Sequence, residues 1–438
     1  GDAGPVMRRL ALGFLLVAAA CTEEATAPGD CPNFCPGGQI VVQDSIFTTI
    51  IERDSSFRGY VQGYQAQAMT AADLAGVQSR ALFVLNSMIT RVAPKAGDTT
   101  TVPIFVDSSR LRLTMVRRNR ATTNLWLKLY AIPTTTDSTN SFASLDPYFA
   151  AAPIDSVSVS DLLSRPLITD AATLRIWGDT IQTDSAGHVL MTADSARILT
   201  LFFDFDTLQA PFVVADSGRL GLGMYVTADS FASATFGTTE AGSDAPSMLW
   251  YYHYTIPDTV SGTPDSVVHV SQVRVPKFDG FVFDPPTAPL DSNLAVGGVP
   301  SARSLVRVTM PAFLRDSFDI VRATVILVPA AAAFGSPADS FTVLARPILT
   351  DLGAKSPLSG GSGGSVVMHP GSTDTVRIEL TDLVRAWATD TSIATAFVLG
   401  QQPEATSFTE IRFYSSRAPA FRPALHLTYV KRFPFGEP

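Results

Sequence analysis

Few side chains in this 438-residue sequence are of the types that make or break covalent bonds. The five histidines, His188, His253, His269, His369 and His426, stand without a second histidine at ligand spacing. No HExxH sequence occurs, so a catalytic zinc site is not expected. Gly360-Gly361-Ser362-Gly363-Gly364 matches the G-x-S-x-G pattern of serine hydrolases. That pattern works only where a strand enters and a helix leaves, holding the serine on a strained turn. Ser362 instead lies among glycines and serines, followed by the strand-like Ser365–His369 and then Pro370, and reads as a linker loop.

In Phe202-Phe203-Asp204-Phe205-Asp206-Thr207, strand alternation puts Asp204 and Asp206 on one face and Phe203 and Phe205 on the other. Paired carboxylates could serve as a glycosidase acid and base or hold a structural Ca²⁺. Asp206-Thr207-Leu208 aligns, with one gap, on Asp382-Leu383-Val384, and a scaffold role is the preferred reading. No catalytic residue is assigned, and no cofactor is expected beyond a structural Ca²⁺ at Asp204 and Asp206.

Aromatic rings are the other candidates, because pyranose C–H faces pack on Trp and Tyr. The densest run is Trp250-Tyr251-Tyr252-His253-Tyr254. Alternation sends Met248, Trp250 and Tyr252 to one face and Leu249, Tyr251 and His253 to the other. Trp250 aligns with Leu427 in the repeat described below and is expected in the core. Tyr251 and His253 are then the surface pair, and Trp177, near a turn, joins them as a carbohydrate-binding candidate. Trp387 is expected to cap a core, and Trp126 shares its face with Lys128.

The three cysteines, Cys21, Cys31 and Cys35, all lie in the first 35 residues. A body without cysteine has no disulfide framework, thiolate zinc site or cysteine nucleophile. Arg8-Arg9 precedes eleven apolar residues, Leu10 to Ala20, and then Cys21. A basic start, an apolar run and small residues before a cut site make a secretory signal. The run is too short to cross about 30 Å of hydrocarbon as a helix. Ala18-Ala19-Ala20-Cys21 resembles the bacterial lipobox, with Ala18 at the usual Leu position. That resemblance implies acylation of Cys21 and a lipid anchor, and Thr22 favours the outer membrane. Residues 22–39 are polar and rich in Pro and Gly and read as a tether, in which Cys31 and Cys35 suit a local disulfide.

The chain is 46% hydrophobic and 16% charged, with a net charge of −8 spread along its length. No Lys/Arg cluster suits a phosphate backbone, so nucleic acid is not an expected partner. Apolar and polar residues alternate in short runs, and helix is expected only at Met69–Gln78, Val159–Leu163 and Thr381–Ala388. Asp-Ser occurs thirteen times, a dipeptide whose side chains close turns onto their own backbone.

Residues 220–252 align without a gap on 397–429. Shared residues include Leu222/Leu399, Gly223/Gly400, Phe231/Phe408, Phe236/Phe413 and Tyr252/Tyr429. Upstream, Phe57–Val61 parallels Phe278–Val282, Arg80–Leu85 parallels Arg303–Val308, and Arg110–Met115 parallels Arg322–Leu327. Four blocks in one order predict a module present twice. The expected organisation is a leader and lipoprotein signal peptide over 1–20, a lipidated tether over 21–43, and modules over 44–256 and 257–438. Each module is expected to be an antiparallel jelly-roll β-sandwich, giving an all-β chain.

The second copy resembles the DNRLRE-type module, a jelly-roll domain of bacterial surface and secreted proteins related to carbohydrate-binding modules. Ser301–Val308, Ile320–Leu327, Val376–Trp387, Phe397–Leu399, Ile411–Ser416 and Arg422–Tyr429 carry that resemblance. It implies a fold and an association with cell-surface architecture and glycans, and transfers no binding residue. The expected function is a non-catalytic, surface-anchored lipoprotein of the cell envelope that binds or scaffolds a polysaccharide. The alternatives are an envelope component binding protein partners and a glycan hydrolase.

Overall fold

The computed structural model describes residues 41–95, 97, 99–119, 122–164, 182–183, 189–190, 199–205, 216, 219–257, 264–285, 287–336, 340–361 and 363–432. Cys21, Cys31, Cys35, Trp177, His188, Asp206 and Ser362 lie outside them.

The described chain is all-β, with antiparallel sheets and a few short helices. A leading ribbon is made of β1 (Val42–Phe47) and β2 (Ile51–Arg58). Next come β3 (Ala68–Leu74), β4 (Val77–Leu85), the two-residue β5 (Arg91–Val92) and β6 (Val102–Pro103), and the long β7 (Phe105–Arg118). β8 (Trp126–Ile132) and β9 (Asp155–Ser158) follow, then the short β10 (Gln182–Thr183) and β11 (Val189–Leu190), and β12 (Leu199–Phe205). The first half closes with β13 (Gly221–Thr227), β14 (Ala232–Gly237) and β15 (Ser247–Ile256). A second ribbon, β16 (Ser266–Arg274) and β17 (Pro276–Asp284), leads to β18 (Leu294–Gly297), β19 (Ala302–Val308), β20 (Phe318–Leu327) and β21 (Phe341–Pro347). β22 (Gly364–Met368), β23 (Val376–Glu379), β24 (Ala396–Gln402), β25 (Glu410–Phe413) and β26 (Ala424–Lys431) complete it.

Two cores form for the same reason. Alternating strands turn their apolar residues inward, where burial removes roughly 25 cal/mol of unfavourable exposure per Å². In the first, a curled eleven-stranded sheet faces itself. Leu111, Leu113 and Met115 of β7, Phe203 and Phe205 of β12 and Trp250 of β15 meet Phe83 of β4, Leu222 of β13 and Leu129 of β8. In the second, the sheet β1-β26-β20-β23 packs on the seven-stranded sheet carrying β19, β21 and β24. Trp387, on the helix Thr381–Thr389, is fully enclosed there.

The repeat is visible strand by strand. β13, β14 and β15 correspond to β24, β25 and β26, and β7 to β20, since β15 and β12 flank β7 as β26 and β23 flank β20, and β14 pairs with β3 as β25 pairs with β18. β4 pairs with β13 and β17, as β19 pairs with β24 and β2. The equivalence carries an exchange. β16 and β17 complete the first sandwich, whereas the ribbon completing the second is β1 and β2, from the other end of the chain. The pairing therefore crosses the expected boundaries of 44–256 and 257–438 in both directions. Similar ribbons precede both modules in sequence, and sequence alone does not say which core each one joins.

One expected helix is absent. Met69–Gln78 forms most of the β3–β4 hairpin, turning at Gly76 with φ +84°. β3 lies between β14 and β4, and Ala71 and Ala72 are buried on opposite faces, so packing overrides their helix preference. Val159–Ser164 and Thr381–Thr389 are helical, as their patterns predict. No helix among the described residues is long and apolar enough to cross a membrane.

Candidate functional site

β7, β15 and β16 present an open outer face at one edge of the first sandwich. Because Met248, Trp250 and Tyr252 point into the core, their neighbours point out. Tyr251 is 42% exposed and Phe105 52% exposed, and the rings of Phe105 and His253 stack with centroids 5.4 Å apart. The aromatic run thus divides between core and surface as its alternation predicts.

The ladder then does something the spacing of histidines did not announce. His253 and His269 are directly opposed in the β15–β16 pair, with ring centroids 5.5 Å apart. On the other flank, Tyr251 pairs with Ser108 and Tyr252 with Val106, which leaves Asp107 as the extra residue of a β-bulge. A bulge re-aims the side chain it carries. Asp107 reaches both histidines, with Oδ1 2.6 Å from His253 Nδ1 and Oδ2 3.2 Å from His269 Nδ1. Among the described residues this is the group of three metal-ligating side chains brought together.

Asp204 lies on the same outer surface, exposed, on β12. Arg110 of β7 holds it in a two-pronged pair, Nε to Oδ1 at 2.5 Å and Nη2 to Oδ2 at 3.0 Å. That pair raises the Arg110 pKa, chiefly through the hydrogen bond to Asp204, with the nearby Tyr251 adding to it. A carboxylate so engaged serves as a surface ion pair, and Asp206, the other half of the expected Ca²⁺ pair, lies outside the described residues. Trp126 is half-buried, its Nε1 donating to Asn124 Oδ1 at 3.1 Å.

A separate cleft of about 270 Å³ lies where the two sandwiches meet, lined by Phe283, Val299, Ala331, Phe334 and Phe408. Glu410 and Arg412 at its edge are already joined at 2.7 Å, and Arg58 pairs with Glu410 at 2.7 Å. Its polar groups are satisfied within the protein, leaving an apolar hollow.

No family model matches the chain, so no family match supports the DNRLRE-type assignment, and no curated protein matches it. Among solved structures, one that is similar is the N-terminal tandem of two CBM22 domains of Xyn10C from Paenibacillus barcinonensis. It is 8% identical, with 90% of this chain and 99% of that chain covered, and the TM-score is 0.13. At that score the likeness transfers neither topology nor ligand.

Proposed function

We propose that this is a non-catalytic protein of the bacterial cell envelope, tethered through an acylated Cys21, that binds an extracellular polysaccharide on the outer face of β7, β15 and β16. The observation that carries the reading is the strip on that face. Solvent-facing Phe105 and Tyr251 lie beside His253 and Asp107, and the Arg110–Asp204 pair follows on the far side of Tyr251. Apolar ring faces beside fixed hydrogen-bonding groups are what a sugar needs, its C–H face stacking while its hydroxyls are bonded at the edge. Affinity electrophoresis against a panel of neutral and acidic polysaccharides, run in EDTA, should show retardation that Tyr251→Ala and Phe105→Ala each reduce at least fivefold. Unretarded migration of the unsubstituted protein through every gel would end the reading. Tethering is read separately, by labelling with radioactive palmitate that Cys21→Ser abolishes.

A second reading has its own observation. Among the described residues β16 ends its sheet, and on it Val267 and Val273 are 54% and 60% exposed. An open apolar edge suits an added strand from an envelope protein. Cross-linking to a protein partner that Val267→Lys prevents, with no polysaccharide retained, would favour it.

A further inference from the structure

We propose that Asp107, His253 and His269 form a binding site for a late first-row divalent cation of the Zn²⁺ class. One donor atom from each residue lies within 4.8 Å of the other two. Ligands at about 2.0–2.2 Å from a tetrahedral ion sit about 3.4 Å from one another. A modest rotation of His269, whose side chain is 71% exposed, closes that gap without moving the sheet. The other two donors already face one another, and their 2.6 Å separation widens to the ligand spacing when an ion replaces the hydrogen bond. His253 is held between the Phe105 ring and the Asp107 carboxylate, and Asp107 is placed by its bulge.

The donor set selects the metal. Two imidazole nitrogens and one carboxylate are poor ligands for Ca²⁺ or Mg²⁺, which take oxygen shells, and good ones for Zn²⁺, Co²⁺, Ni²⁺ and Cu²⁺. Without metal, each Nδ1–H donates to a carboxylate oxygen. With metal, the deprotonated nitrogens and the carboxylate would face the ion, and three protein ligands leave a fourth position open to solvent on the sheet face. The site stands on its donors alone and is independent of whether the face binds a glycan.

The experiment titrates ZnCl₂ into chelator-stripped full-length protein, alkylated so that Cys21, Cys31 and Cys35 supply no thiolate. One equivalent is expected to bind by calorimetry and to raise the thermal midpoint. His269→Ala and His253→Ala should each weaken binding at least tenfold, while His426→Ala, in the other sandwich, leaves it unchanged. Because His269 is exposed, its variant keeps the fold, which circular dichroism verifies. Co²⁺ in place of Zn²⁺ should give the visible d–d bands of a nitrogen-and-oxygen site of four or five ligands, absent in His269→Ala. No binding, or binding that His269→Ala leaves intact, overturns the proposal.

Discussion

The guanidinium of Arg80 on β4 lies 4.0 Å from the centre of the Tyr225 ring on β13. It also stands 5.1 and 5.2 Å from the rings of Phe142 and Phe149 and donates to Asp146 at 2.9 Å. The arginine side chain is 5% exposed, so rings, one carboxylate and the Gln78 side-chain oxygen replace its water. These contacts pin residues 142–150, a helical turn running into a 3₁₀ turn, over the outer face of the first sandwich. Arg80→Met should cost about 1–3 kcal/mol. In limited proteolysis it should make this segment the first to be cut, and a variant that resists cleavage there would count against the account.

Tyr225 itself makes a pH prediction. Its hydroxyl donates to Asp73 at 2.7 Å, and burial, then that carboxylate, push its pKa from 10.0 to about 12. The fold favours the neutral phenol, so the contribution is complete below pH 10 and is lost as pH rises through 12. Burial also raises Tyr60 and Tyr130, so an alkaline absorbance titration should show a late-ionising group of tyrosines whose last step, near pH 12, Tyr225→Phe removes. The stability difference between the two proteins should narrow between pH 10 and 12.

Asp54 ties the leading ribbon to the second sandwich. Its buried Oδ2 accepts the backbone N–H of Ser416, and Arg417 Nη1 lies 3.4 Å from Oδ1. Asp54→Ala removes the acceptor of a buried N–H and should lower unfolding stability by about 2–4 kcal/mol. Asp54→Asn keeps an oxygen for Ser416 and should lose less. Equal losses in urea titrations would mean that the charge matters more than the hydrogen bond.

The exchange of ribbons predicts how the chain can be cut. A fragment of residues 59–256 lacks β16 and β17 and leaves the ladders of β15 and β4 open, whereas 59–284 includes both. The longer fragment should unfold cooperatively in urea, and the shorter should be less stable and prone to associate through its open edges. Equal midpoints would show that the second ribbon adds nothing to the first sandwich.

Period-two alternation was enough to send Trp250 and Tyr252 inward and Tyr251 and His253 outward, because a buried face admits no other register. The aligned strands β13 to β15 and β24 to β26 keep the same core positions, with Leu222 and Leu399, Phe236 and Phe413, and Tyr252 and Tyr429 all buried. Asp-Ser closes turns in some places, as at Asp137, which accepts the N–H of Thr139, and at Asp291, which accepts that of Asn293. At Asp107-Ser108 the same dipeptide lies inside a strand and makes a bulge. Spacing along the chain does not reveal the histidine cluster, because its members meet across a ladder. A signal existed: His253 and His269 are equidistant from position 261, so a hairpin turning there must oppose them. Asp107 had no such signal, because a bulge shifts register by one residue without a fixed motif.

The hydroxyls of Ser45 on β1 and Tyr429 on β26 are 3.4 Å apart and separated by 384 residues of chain. At about 5–20 residues per second, a ribosome needs roughly 20–80 s to make that interval. The strands synthesised first therefore wait longest for their partners, while the first sandwich can finish as soon as its own ribbon arrives. Polar Gln43, Asp44 and Ser45 on β1 suit an edge that must stay unpaired without recruiting a stranger.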